Sequence, residues 1–213
     1  MVPEPRWPEA FQQDLQDLFV WRRDERHFRS DPLPDGIVKS LIETACLAPS
    51  VGNAQPWRFV DIRCAKRRAR IIGIFETENA AAARSYAGER ATSYNALKLA
   101  GLKEAPVHLA VFCDEAPPEG HGLGRQTMPE MLRYSVVCAI HTLWLAAHAR
   151  GLGVGWVSIL DPVAVSECLD VPASWSLVAY LCVGWPKAAH SLPELDRRQW
   201  QQRLTPASFL VTR

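Results

Sequence analysis

Three arginines, Arg22, Arg23 and Arg26, fall within the run WRRDERHFR at positions 21–29, with Asp24 and Glu25 between them. Arginine presents a planar fork of donors that suits phosphate oxygens, and a cluster of such forks suits a dianion. Charge runs also occur as solvated turns, and Asp24, Glu25 and Asp31 are available to pair with these arginines. The run alone therefore leaves both roles open. Asp24 is its odd member. A carboxylate beside a phosphate is repelled by about 1 kcal/mol at about 4 Å even in water, and by more where shielded. It is either paired with an arginine or kept for chemistry.

Two further segments carry polar groups in turns. APSVGNAQPW at 48–57 offers Ser50, Asn53 and Gln55 beside the flexible backbone of Gly52, a set able to hydrogen-bond a heteroaromatic edge or simply to form a turn. GLGVGWVS at 151–158 has the look of a dinucleotide fingerprint, but that motif follows a strand and opens a helix, and here the order is reversed. The glycines are expected to cap a helix and turn the chain, with Ser158 following on a strand. His108 and His141 sit in apolar runs and are expected in the core, and no histidine pair has metal-ligand spacing. No G-x-S-x-G motif is present. The expectation is no metal.

The elements that must position these groups are legible from periodicity and punctuation. A first helix is expected over 8–21, with Phe11, Leu15, Leu18 and Phe19 on one stripe. A second starts after Pro34 with Asp35 as N-cap and stops before Pro49. Strands are expected at 57–63, 107–114, 155–160 and 175–184, and helices at 65–75, 131–150 and 162–169, the last opened by Asp161-Pro162. The stretch 76–104 is rich in Ala and alternating charge, and reads as one or two mobile helices forming a lid. The helix at 131–150 is apolar almost all round, which requires cover on every side. Strands alternating with helices leave both an α/β and an α+β layered domain open, and the scarcity of charge in the strands implies a sheet covered on both faces.

Lys and Arg number 24 against 23 Asp and Glu, a net charge of +1, so no global field exists to hold nucleic acid. Six dispersed cysteines without a C-x-x-C pair, and an N-terminus without an apolar core, point to a reduced, soluble, cytoplasmic protein. The most apolar stretch, 135–147, is too short to span a bilayer, which takes about 20 residues. No repeat or linker divides the chain, so one domain is expected over 1–213, with the lid at about 76–104 and a C-terminal extension at about 186–213.

Taken together, RRDERHFR at 22–29, APSVGNAQPW at 48–57, YAGERATSYNALKLAGLKEAP at 86–106, LGRQTMPEM at 123–131, LWLAAHARGLGVGWVSILDP at 143–162 and AYLCVGWP at 179–186 resemble the nitroreductase-like flavoproteins. Within them, the likeness is to the branch that destroys reduced flavin to make 5,6-dimethylbenzimidazole, the lower ligand of vitamin B12. The resemblance implies an α+β, three-layer fold with a central mixed sheet flanked by helices, in an intertwined homodimer with FMN at the subunit interface. It implies that Arg22, Arg23, Asp24, Glu25 and Arg26 surround the flavin phosphate and ring edge. Ser50, Gly52, Gln55 and Ser158 would line the flavin, and Arg90 and Leu99 would close over it. Ordinary nitroreductases carry a small polar residue where this chain has Asp24, and Asp24 and Ser158 would be the catalytic pair. Reduced FMN would be the substrate and O2 the co-substrate, with erythrose 4-phosphate released and a separate NAD(P)H-flavin reductase supplying reduced FMN. Two rivals stand beside this reading: an NAD(P)H-dependent nitro- or quinone reductase on the same fold, and a non-catalytic flavin-binding protein.

Overall fold

The two longest apolar runs become the inner strands of one sheet. A computed structural model describes residues 6–213. The first five residues, part of the N-terminus expected to lack an apolar core, lie outside the described residues. In chain order the strands are β1 (Trp57–Asp61), β2 (Val107–Asp114), β3 (Gly153–Val157) and β4 (Trp175–Gly184), lying side by side as β1-β2-β4-β3. All three strand pairings are antiparallel. The four-stranded sheet is antiparallel throughout where a mixed one was expected; an isolated parallel bridge outside its strands joins Asp24 to Val154 of β3. The helices are α1 (Glu9–Trp21), α2 (Ile37–Ala45), α3 (Ala65–Ala83), α4 (Gly88–Asn95), α5 (Met131–His148), α6 (Pro162–Leu169) and α7 (Glu194–Arg197).

Period-two alternation divides the core. Leu109, Val111, Cys113, Leu181 and Val183 face one cluster with α2 and α5, while Ala110, Phe112, Tyr180 and Cys182 face a second with Ile71 of α3 and Val165 of α6. The result is a three-layer α+β domain with the sheet covered on both faces. Each fully buried Leu, Ile or Phe contributes about 1.5–3 kcal/mol. Asp161 caps α6 as its sequence suggests, Oδ1 accepting from the amides of Val163 and Ala164.

Several expectations are corrected. The cap of α2 is Gly36, in the left-handed region at φ 79°, and not Asp35. The helix at 65 runs on to Ala83, because the alanines after Phe75 favour helix. The strand at 155 begins and ends earlier, so Ser158 lies just past β3 and is exposed. His141 is exposed where a core position was expected, whereas His108 is buried. Helix α5 is covered on one side only: Val136, Ile140, Leu143 and Ala147 are buried, while Tyr134, Val137, Cys138 and His141 face out. No described helix is long and apolar enough to cross a membrane.

Candidate active site

Chain direction changes at the end of α1. Arg22 leaves the helix with extended backbone at ψ 125°, and residues 22–28 then run beside β3. The bridge pairs Asp24 with Val154, and the Glu25 amide donates to the Val154 carbonyl at 3.0 Å. This docking explains the glycines of GLGVGW. Gly151 does turn the chain after α5, at φ 74°. Gly153 and Gly155 do something else: they lie within β3, and a Cβ on Gly155 would run into the Glu25 carbonyl oxygen. The absent side chain is what lets the arginine run approach the strand. Phe28, fully buried, pins the far end of the segment against Gly101 and Gly184.

An extended segment sends successive side chains to opposite sides, and the contacts here follow that rule. Arg22, Asp24 and Arg26 form one row. The Arg22 guanidinium stacks on Trp144 at 4.9 Å, and among the described residues it has no hydrogen-bond partner. Arg26 donates to Asp24 Oδ2 through Nε at 3.3 Å and Nη2 at 3.1 Å, and to the Lys98 carbonyl at 3.3 Å. The other carboxylate oxygen, Asp24 Oδ1, accepts from the Trp156 amide at 2.8 Å. The Asp24 side chain is 34 % exposed, yet the protein crowding it raises its pKa above the ordinary carboxylate value; the Trp156 amide, Arg26 and Arg22 pull the other way.

Arg23, Glu25 and His27 form the opposite row. Arg23 donates from Nε to the His190 carbonyl at 2.9 Å and from Nη2 to the Ser191 carbonyl at 2.6 Å. Glu25 Oε1 accepts from the amides of Arg26 and His27 at 2.9 and 2.6 Å. His27 pairs with Glu194 at 3.1 Å. Arg23 and His27 thus hold the segment against residues 190–194, while the Glu25 carboxylate folds back on its own backbone and its stem lies against Gly153. The sequence grouped all five charged residues as one cluster; the backbone sorts them into a row facing the site and a row facing the C-terminal segment.

Arg203 lies outside the expected set of site residues. It lies close enough that its charge lowers the pKa of both Arg22 and Arg23, after burial in the case of Arg22 and after burial and Arg22 in the case of Arg23. His148 is lowered by burial and by the same two arginines. Cations crowded in this way, with one free guanidinium among them, fit a phosphate. Its position in a polar, exposed tail gave Arg203 no local signal.

Residues 50–55 are built elsewhere. Ser50 Oγ accepts from the Gln55 amide at 3.0 Å, and Ser135 Oγ on α5 accepts from the Val51 amide at 3.0 Å. Gly52, Asn53 and Gln55 all adopt positive φ, at 55°, 54° and 47°. Such strain, of order 1 kcal/mol or more for the two non-glycine residues, gathers at functional loops. Ser135 and Trp144 are nine positions apart on α5, about 13.5 Å of helix rise. Within one chain the structure therefore brings Arg22, with Asp24 and Arg26 in its row, to the Trp144 end of α5, and leaves the loop of Ser50, Gly52 and Gln55 at the Ser135 end; Ser158 follows two residues after the amide that holds Asp24.

The stretch 76–104 is partly the end of α3 and partly α4. Arg90 on α4 stacks on Trp200 at 4.5 Å, and Leu99 is half-buried beyond the helix. Among the described residues, no group of three His, Cys, Asp or Glu is placed to hold a metal ion.

Comparison with known proteins identifies the family. Residues 19–185 match the family model described as the Nitroreductase family. The chain is 59 % identical over 199 residues to a Rhodospirillum rubrum protein named 5,6-dimethylbenzimidazole synthase, covering 93 % of this chain and 94 % of that one. It is 47 % identical over 190 residues to a protein of the same name from Rhodobacter capsulatus, covering 89 % and 92 %. Among solved structures, oxidised iodotyrosine deiodinase bound to FMN and 3-iodo-L-tyrosine superposes with a TM-score of 0.70 at 27 % identity, covering 83 % of this chain and 91 % of that one. The chain belongs to the nitroreductase family, and its likeness within that family is to the 5,6-dimethylbenzimidazole synthases.

Proposed function

We propose that this protein fragments reduced FMN with O2 to 5,6-dimethylbenzimidazole and erythrose 4-phosphate. The observation that carries the reading is Asp24, a carboxylate set among arginines and fixed by the Trp156 amide in the row that faces the cation cluster. Binding an anionic flavin gains nothing from a carboxylate there. A proton-transfer step does, and a pKa raised by burial suits the group to it.

The residues divide the work. Arg22 and Arg203 take the phosphate, with Arg22 already free and held in place by Trp144. Arg26 orients Asp24 and touches the lid through the Lys98 carbonyl. Ser158, exposed two residues beyond the amide that holds Asp24, offers a hydroxyl to the ring. Ser50, Gly52 and Gln55 come from a second copy of the chain, because their own copy holds them at the far end of α5. The outward apolar residues of α5, Tyr134 and Val137, and of α1, Phe11, Leu15 and Phe19, supply a surface for that homodimer. The lid carrying Arg90 and Leu99 excludes water from the reacting ring. A flavin that leaves as fragments must be replaced at every turnover, which calls for a separate NAD(P)H-flavin reductase. Free thiols at all six cysteines suit a cytoplasmic setting, and no step requires a metal.

The test is to supply FMN, an independent flavin reductase with NADPH, and air, and to look for 5,6-dimethylbenzimidazole by chromatography. Its formation in proportion to FMN lost is the expected result. NADPH oxidation by the protein alone with FMN intact would make it an ordinary reductase, and flavin binding with neither outcome would make it a carrier.

A further inference from the structure

The lid and the arginine run are joined by a residue in the C-terminal extension. Trp200 lies against three side chains of the lid region. Its ring receives the Arg90 guanidinium at 4.5 Å, meets Tyr86 edge-on at 5.5 Å and lies 6.1 Å from Tyr94. Tyr86 and Tyr94 stack on each other at 4.8 Å, so the four groups form one cluster. Arg90 also donates to the Trp200 carbonyl at 3.3 Å.

Trp200 is itself tethered to the back of the site segment. Its amide donates to the Leu195 carbonyl at 2.8 Å, closing the turn after α7. Glu194, the first residue of α7, is only 8 % exposed; it pairs with His27 at 3.1 Å and stands 3.8 Å from Arg198. Upstream, the His190 and Ser191 carbonyls hold Arg23, and the Lys187 amide donates to the His27 carbonyl at 2.9 Å. Contacts thus run from α4 through Trp200 and Glu194 to His27, three residues from Asp24. On the other side of the segment Arg26 reaches the Lys98 carbonyl. The lid is thus fastened to the segment that carries Asp24 from two places, around α4 and at Lys98.

We propose that Trp200 is a positioning residue for the reaction: it sets Arg90 and holds the lid down over the flavin. The inference rests on the flavin-consuming reading above. Cation–π and edge-on aromatic contacts at exposed positions are individually weak. That strength suits a closure which must open each turnover to admit a new flavin and release fragments. The competing fate of a poorly covered flavin is plain oxidation, in which two electrons and two protons pass from reduced FMN to O2, giving FMN and H2O2.

The experiment compares wild type with Trp200→Ala and Trp200→Phe. Enzyme in excess is mixed with reduced FMN without oxygen, then exposed to O2, and 5,6-dimethylbenzimidazole and H2O2 are both measured. Trp200→Ala is expected to shift the ratio of the two products roughly tenfold towards peroxide. Trp200→Phe, which keeps an edge for Tyr86 and a weaker face for Arg90, should recover most of the loss. Release of oxidised FMN, followed by its fluorescence, and tryptic cleavage after Arg84 and Arg90 should both accelerate in Trp200→Ala, with Tm unchanged within a few degrees. Wild-type product ratio, release rate and cleavage in Trp200→Ala would overturn the proposal. Faster release and cleavage from a protein that makes no 5,6-dimethylbenzimidazole would uphold the lid contact and overturn the flavin-consuming reading instead.

Discussion

Asp24 and Trp156 are 132 positions apart in the chain and joined by one hydrogen bond, from the Trp156 amide to Asp24 Oδ1 at 2.8 Å. Because the donor is backbone, the carboxylate's place is set by strand β3 and not by a side chain that can rotate away. Its other oxygen is left to Arg26. The two glycines that flank Val154 are the condition for this contact, since only a strand without side chains there admits the arginine run.

Gly155→Ala should therefore act on the site through the backbone. Its new methyl meets the Glu25 carbonyl oxygen, a backbone atom that can yield only if residues 24–28 lift from β3. A stability loss of about 1–3 kcal/mol is expected, as for other overpacked positions, together with loss of FMN binding. Denaturant melts and flavin fluorescence titration check both.

The two rows give the arginines different partners, and different effects of their removal are expected. Arg22→Ala removes the free guanidinium and is expected to weaken FMN binding by about 10- to 100-fold, the equivalent of a charge-assisted hydrogen bond. Arg23 has its guanidinium on the His190 and Ser191 carbonyls. Arg23→Ala should cost less affinity and lower the Tm by about 2–4 °C per kcal/mol lost. Equal affinity losses in calorimetric titrations would contradict the assignment.

A site shared between copies can be complemented. Arg22→Glu and Gly52→Trp, each alone, should abolish product formation from opposite ends of α5. Co-expressed, they form hybrids with one intact site, and about a quarter of wild-type activity is expected from random pairing. Activity no greater than the two variants measured separately would mean that each chain builds its own site.

His108 gives a pH signature for the fold. Burial, and secondarily Arg68, depress its pKa from 6.5 to about 4, and its Nδ1 lies 2.9 Å from the Tyr180 hydroxyl. Between those values the unfolded chain binds more protons than the folded one. Stability present above pH 6.5 is thus lost as pH falls towards 4, by up to about 3 kcal/mol. Melts of wild type and His108→Phe across this range should show the slope flattened in the variant.

What the sequence made legible was local. The runs at 107–114 and 175–184 read as strands because they are apolar and bounded by turns, and α6 because Asp161-Pro162 is a cap followed by a compatible proline. What it hid depends on partners distant in the chain. Nothing near Gly153 or Gly155 tells that Glu25 will lie across them, and nothing near Arg203 tells that its charge will reach Arg22. His141 stands in an apolar run yet faces outward, since the run continues round α5 to a face that its own chain leaves open. The alternation that separates Arg22 from Arg23 needed an extended backbone, and a charged run after a helix did not specify one.

The proposed fragmentation of reduced FMN requires Asp24 to act in the chemistry and not only in the architecture. Asp24→Asn keeps an oxygen to accept from the Trp156 amide and removes the ability to carry a proton. At equal occupancy by reduced FMN, single-turnover exposure to O2 should yield 5,6-dimethylbenzimidazole from wild type and at least about 100-fold less, or none, from Asp24→Asn. Undiminished product from Asp24→Asn would contradict the account.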